Sequence, residues 1–196
     1  MKLRAVSLKV FLLCLTLFFS GSAVRVGAEP ASTDVEIISY GAKDDATLER
    51  ESGTDPNAQA EWGRRLLIRG RYAEAVPLLA KASELRIPSA MTNYAYLLVN
   101  GFGVMKNIPK ARGLFAKAAE TGSVAAMNNL GWMHQNGHGG PVDHSAAVSW
   151  YRRAATLGYA PGQASLAYMY ENGLGVPRNK AESAAWYAKA AEQGNA

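Results

Sequence analysis

The sequence predicts an all-α protein, an α-solenoid of antiparallel helix pairs, on three observations. The last 108 residues repeat themselves with a step of 36. Gly122, Gly158 and Gly194 keep that step, as do Gly101, Gly137 and Gly173, and Gly103, Gly139 and Gly175. Phe115, Tyr151 and Tyr187 follow it too, with the pairs Ala118-Ala119, Ala154-Ala155 and Ala190-Ala191. A period of this length with helical sub-patterns marks a stacked helical repeat. Such units cannot bury their apolar faces alone, so neighbours stack into a solenoid. That architecture predicts a binding surface and argues against a compact catalytic pocket.

The chain opens with a targeting signal. Lys2, Arg4 and Lys9 form a basic n-region, and Val10 to Phe19 is a run of ten residues that is apolar except for Thr16. A transmembrane helix needs about 20 such residues, whereas a run of this length fits the h-region of a signal peptide. Val26-Gly27-Ala28 supplies the small residues of a cleavage site, so residues 1–28 are expected to be removed after Ala28. The alternative is an uncleaved membrane anchor. Cys14, the only cysteine, lies inside the h-region. Disulfides and cysteine-ligated zinc are therefore excluded for the exported form.

Charge is segregated along the chain. The total is +5, but the signal holds four bases and no acid. Residues 29–56 carry a net −6 and residues 57–196 a net +7, which leaves the mature protein near balance at +1. Apart from Arg64, Arg65, Arg69 and Arg71, the bases of the second part are scattered. No nucleic-acid motif is present, and nucleic acid is not an expected partner. Residues 29–54 are polar and acidic with one short apolar patch, Val35 to Tyr40, and no sustained period. They are expected to form a mostly disordered leader.

Residues 55–88 form a first helix pair. Asp55-Pro56 combines an N-cap with proline at the first helical position. Trp62-Gly63, Tyr72, Glu74-Ala75, Leu79 and Ala82 follow, with Pro88 after the second helix. Three longer units come next, at 89–122, 123–158 and 159–196. In the middle one the first helix is expected over Val124 to Asn136, where Ala126, Met127, Leu130 and Gly131 share a face. Asn136-Gly137 ends it, because glycine enters the left-handed region cheaply. Asp143 is the expected N-cap of the second helix, matched by Asn107 and Asn179. Ala147, Trp150, Tyr151, Ala154 and Ala155 make the apolar stripe of that helix, and Gly158 closes it.

These positions resemble a known family. Leu130-Gly131, Gly101-Phe102-Gly103-Val104, Lys110-Ala111, Trp150-Tyr151 and Lys117-Ala118-Ala119-Glu120-Thr121-Gly122 resemble the Sel-1-like repeat. Gly173-Leu174-Gly175-Val176, Trp186-Tyr187 and Lys189-Ala190-Ala191-Glu192-Gln193-Gly194 repeat the pattern. The resemblance covers residues 89–196, and the related unit at 55–88 looks like a tetratricopeptide repeat. It implies a right-handed superhelix of helix pairs that serves as a protein-interaction scaffold, and many bacterial relatives are exported. The middle copy departs from the pattern at Gly140-Pro141 and at His134, where the family usually has tyrosine. Cysteine-rich secreted relatives have been linked to penicillin binding, but the mature chain has no cysteine and that activity is not carried over.

The resemblance also points to a candidate groove. Tyr96, Trp132 and Tyr168 stand 36 apart, one residue past the Leu-Gly signature, with Arg64 equivalent in the first unit. By similarity to tetratricopeptide grooves this position faces the concave side, where tyrosine and tryptophan suit peptide binding. The same side chains could instead pad the space between helices. Asn100, Asn136 and Asn172 form a second ladder one turn later, either clamping a bound peptide backbone or ending their helices before glycine.

No catalytic site is expected. All three histidines, His134, His138 and His144, fall in one copy, but Gly137 ends the helix between the first two and no metal is expected there. Asp143, His144 and Ser145 are adjacent in sequence, whereas a triad converges from separate elements. Gly101-Phe102-Gly103 follows no strand and is not a phosphate loop. The expected protein is thus a non-enzymatic adaptor with no cofactor. It is expected to be exported to the periplasm of a Gram-negative bacterium or secreted, and to bind a protein segment in its groove. A regulatory role toward an envelope or signalling protein is consistent with this. The alternatives are an envelope enzyme acting on peptidoglycan or a β-lactam, and a structural protein that self-associates. The last rests on Ala184, Ala185, Ala188 and Ala191 of the final helix, where no polar capping element follows before Ala196.

Overall fold

The structure is a computed structural model in which residues 42–194 are described. The expected signal peptide 1–28 and the expected leader as far as residue 41, with its Val35 to Tyr40 patch, lie outside the described residues. Among the described residues there are nine helices and no strand. They are α1 (Asp45–Glu51), α2 (Pro56–Ile68), α3 (Tyr72–Glu84), α4 (Pro88–Asn100), α5 (Ile108–Glu120), α6 (Val124–Asn136), α7 (His144–Thr156), α8 (Ala160–Asn172) and α9 (Lys180–Gly194). None is long and apolar enough to cross a membrane. The described helices fall into two compact units, one ending at Ala126 and one beginning at Met127, divided inside α6.

Helix α1 corrects the expectation of a disordered leader through residue 54. Asp44 caps it by accepting from the Thr47 backbone N–H at 2.9 Å, and Leu48 is completely buried. The acidic residues of this stretch find the arginines of α2. Arg65 donates to Asp45 at 2.8 Å and Arg69 pairs with the same carboxylate, while Lys43 bonds Glu51 at 2.6 Å. A polar heptad cannot sustain a helix alone. Packing on α2 and these pairs hold it in place.

In the first unit α2 pairs with α3 and α4 with α5, and α2 also touches α4. The pairing needs small residues at the crossing. A Cβ on Gly63 would meet Leu79 Cγ at 2.8 Å, so only glycine lets that leucine lie against α2. In the second unit Gly131 does the same work for Tyr151, whose ring would be 2.7 Å from an added Cβ. Gly162 brings α8 within 2.7 Å of the Ala154 methyl on α7 by the same measure. The Leu-Gly signature of the sequence is thus a packing device.

The expected caps are present. The Asp55 carboxylate accepts from Asn57 N–H, Asn107 Oδ1 from Lys110, Asp143 from Ala146, and Asn179 from both Ala181 and Glu182. Gly101 and Gly173 end α4 and α8 in the left-handed region, with φ of +74° and +68°. Gly122 and Gly158, with φ of +97° and +82°, turn the chain from one pair to the next.

The second glycine of the first and third Gly-x-Gly loops has a separate task. Gly103 rests on the start of α3, where an added Cβ would lie 2.7 Å from Tyr72 carbonyl carbon. Gly175 rests on the start of α7, 2.4 Å from the carbonyl carbon of His144 by the same construction. Each loop therefore lies backbone on backbone against the second helix of the preceding pair.

Tyr151 is a core residue, 1% exposed, among Ala147, Val148, Leu166 and Met169. Its hydroxyl is not idle: it donates to Gln135 Oε1 at 2.7 Å. Burial pushes the phenol far above its ordinary pKa and so favours its protonated, donating form.

Candidate functional site

The candidate face is carried by the first helix of each pair. In the unit ending at Ala126 it holds Arg64 on α2 with Tyr96 and Asn100 on the adjacent α4. Arg64 is turned toward its own helix: Nε and Nη2 each bond Glu61 at 2.7 Å. Burial alone would raise the Glu61 pKa. The hydrogen bonds from Arg64 and Arg65 outweigh it and hold the carboxyl below its ordinary value. Tyr96 is half-buried and edge-on to Phe102, which stacks on Tyr72 with centroids 4.7 Å apart. Burial first, and then the neighbouring Tyr72, raise the Tyr96 phenol above its ordinary pKa.

In the unit from Met127 onward the face holds Trp132 and Asn136 on α6 and Tyr168 and Asn172 on α8. Asn128 Oδ1 accepts from Ser165 Oγ at 3.2 Å, which ties α6 to α8 one turn before the aromatics. Trp132 is 39% exposed, which for so large a side chain leaves a broad ring area open. One face of it stacks on the His138 imidazole, centroids 4.4 Å apart at 29°. Tyr168 is half-buried, packed against the cluster around Tyr151. The stripe is therefore mixed: tyrosines that largely pack, and a tryptophan that stands out.

The asparagines share one geometry. The Nδ2 groups of Asn100, Asn136 and Asn172 donate to the carbonyls of Tyr96, Trp132 and Tyr168 at 2.9, 2.8 and 2.9 Å. Each side chain folds back one turn onto the backbone of a stripe residue and leads into a left-handed glycine. One amide proton of each is thus spent on the helix end.

The histidines do not converge. His138 lies on Trp132, and His144 starts α7 with Nδ1 buried and without a hydrogen-bond partner. Among the described residues no group of three His, Cys, Asp or Glu side chains could hold a metal ion. Sequence reasoning did not foresee the Gln135 partner of Tyr151, because the two residues are 16 apart and only the α6–α7 crossing joins them.

These helix pairs, caps and glycine turns define a class, the helical-repeat scaffolds. Within that class the Sel1 repeat pattern matches residues 88–123, 124–159 and 160–195. The chain belongs to the Sel1 repeat family. Solved structures agree. A Sel1 repeat protein from Oxalobacter formigenes is 34% identical over 70% of this chain and 55% of its own, with a TM-score of 0.65. The antigen c5321, described as protective, present in uropathogenic Escherichia coli strains and displaying an SLR fold, is 29% identical. That similarity spans 98% of this chain and 39% of the antigen, with a TM-score of 0.64. The chain thus spans about half or less of the length of these two proteins. No curated protein sequence matches it. The fold is the α-solenoid class of Sel1 repeats, a scaffold suited to protein–protein interaction.

Proposed function

We propose that this protein is an exported, non-enzymatic adaptor that binds a segment of another protein on the face formed by its first helices, and so regulates an envelope or signalling protein. The observation that carries the reading is Trp132: a tryptophan in step with Tyr96 and Tyr168, exposed on one side and braced by His138 on the other. A braced aromatic loses little side-chain freedom on binding, which is what an anchor residue requires. Export rests on the basic n-region and the ten-residue run, apolar except for Thr16, at the start of the sequence.

The test is site-directed photo-crosslinking in cells, with the crosslinking residue at position 132 or at 168. A single heterologous adduct at both positions, lost with Trp132→Ala, supports the reading. Trp132→Ala should weaken capture by ~2 kcal/mol or more, as a central anchor does. Full capture by Trp132→Ala and Tyr168→Ala would show that this face is not the binding surface. Fusion of residues 1–28 to a reporter active only outside the cytoplasm checks export separately.

A second reading, self-association, is favoured by α9. Ala184 is exposed there, whereas its counterpart Val148 in α7 is buried; Ala185 and Ala188 are exposed like their counterparts Ser149 and Arg152. Sedimentation across a concentration range, with Ala188→Glu as control, decides it.

A further inference from the structure

The repeat pattern is broken at several positions that meet in one place. A pocket of about 180 Å³ lies between the end of α3, the start of α4 and α5. Its lining includes Arg86, Met91, Tyr94, Lys110, Leu114 and Lys117. Stepping 36 residues along the chain, Arg86 corresponds to Gly122 and Gly158, Tyr94 to Leu130 and Leu166, and Leu114 to Trp150 and Trp186. Lys110 corresponds to Ala146 and Glu182. Three departures from the repeat, Arg86, Tyr94 and Leu114, thus line a single cavity.

Arg86 is the most telling of them. It has a φ of +62° and is the one non-glycine residue with positive φ among the described residues. Its turn is the turn of its glycine counterparts. Arg86 N–H bonds Ser83 carbonyl and Ile87 N–H bonds Ala82 carbonyl, as Gly122 bonds Ala119 and Ser123 bonds Ala118. Glycine would make this turn without strain, so the guanidinium stands here against a conformational penalty.

The exchange of tryptophan for leucine opens the space. In the third repeat Trp186 packs against the cluster containing Leu166 and Ala155, and Lys189 lies over its ring at 4.2 Å. Arg153 lies over Trp150 in the same way at 4.4 Å. Lys117 is the counterpart of those cations, but Leu114 offers it no ring. Lys110 instead sits over the Tyr94 ring at 5.1 Å. Arg86, Lys110 and Lys117 form no ion pair with a carboxylate among the described residues.

We propose that this pocket binds a carboxylate carried on a small apolar body, either the terminal carboxylate of a peptide ending in an apolar residue or a free acid of the same kind. Arg86 supplies the fork that matches a carboxylate, with Lys110 and Lys117 as point charges beside it. Met91, Leu114 and the Tyr94 ring supply the apolar floor. Glu84, also on the lining, opposes a dianion more than a monoanion, which favours carboxylate over phosphate.

The test is calorimetric titration of the full chain with N-acetyl-L-leucine, its carboxamide, inorganic phosphate, and a hexapeptide ending in leucine with a free carboxylate. Saturable binding of N-acetyl-L-leucine is expected, with the carboxamide at least ~10-fold weaker for want of the charge. The hexapeptide separates the sources: tighter binding than N-acetyl-L-leucine assigns the site to a chain terminus, equal or weaker binding to a free acid. Arg86→Gly and Leu114→Trp restore the repeat pattern, so both should keep or raise the melting temperature while weakening binding at least ~10-fold. No saturable binding overturns the proposal. So does a carboxamide or phosphate that binds as well as the acid, or a folded Arg86→Gly or Leu114→Trp variant that binds like the parent.

Discussion

Replacing Gly103 and Gly122 with alanine, one at a time, separates two reasons for glycine within one compact unit. Both residues have positive φ, +67° and +97°. An alanine at Gly122 meets nothing within 4 Å. Its cost is the left-handed penalty of ~1–2 kcal/mol, offset by ~0.4–1 kcal/mol because alanine restricts the unfolded chain. A net loss of about 1 kcal/mol is expected. An alanine at Gly103 bears the same conformational penalty, and its Cβ also falls 2.7 Å from the Tyr72 carbonyl carbon and 2.9 Å from Ala73 N. Those are backbone atoms of a helix start and cannot swing aside. The loop must lift, and an overpacking cost of ~1–3 kcal/mol is added. At ~2–4 °C per kcal/mol for a chain of this size, Gly122→Ala should lower the melting temperature by a few degrees and Gly103→Ala by about twice as much or more. Urea denaturation followed by far-UV circular dichroism measures the same difference. Equal losses at the two sites would refute the docking of the loop on α3. Two unchanged midpoints would refute the left-handed argument as well.

Two further outcomes follow from the packing and the charges. Tyr151→Phe should cost ~0.5–1.5 kcal/mol, the value of one hydrogen bond, and Tyr151→Ala ~3–5 kcal/mol. Chemical denaturation checks both, and a phenylalanine variant as stable as the parent would show the Gln135 bond to be idle. The Asp45 carboxyl is held below its ordinary pKa by Arg69 first and Arg65 next, and Glu61 is lowered as well. A lowered folded-state pKa stabilises above the unfolded value and is lost as pH falls through the folded one. The α1–α2 attachment should therefore be constant from neutral pH down to about 5 and weaken below about 4. Asp45→Asn should be less stable than the parent at neutral pH, with the difference shrinking as pH falls below about 4, which thermal melts at neutral and acid pH decide.

What the sequence made legible was whatever obeys a local rule. The N-caps at Asp55, Asn107, Asp143 and Asn179 and the left-handed glycines are each fixed by the chemistry of one residue and its neighbours in the chain. The period of 36 then located every helix of the three long units. Helix α1 was hidden because its support is remote: Asp45 is held by arginines 20 and more residues away. The site was legible only as a stripe. Spacing aligned Tyr96, Trp132 and Tyr168, but not the different uses they are put to, because exposure depends on partners such as Phe102 and His138 that lie in the loops. The Arg86 pocket escaped for the opposite reason. Its distinguishing residues, Arg86, Tyr94 and Leu114, fail to match the period, and a search for what recurs passes over them.

The loop glycines carry a consequence for how such chains grow. Gly103 and Gly175 do not lie on their own second helix but on the one before, and the atoms nearest an added Cβ there are main-chain atoms. A second helix that begins with an open backbone turn can receive the glycine, although at α3 the Tyr72 ring also stacks on Phe102 of the loop. The pair α2–α3 has no Gly-x-Gly loop of its own, yet α3 receives Gly103 as α7 receives Gly175. A duplicated segment of 36 residues thus brings its own joint and asks of its predecessor chiefly a helix start. Repeats joined this way can be copied, shuffled or placed behind a shorter ancestor without redesign of the junction, while their side chains drift toward separate uses.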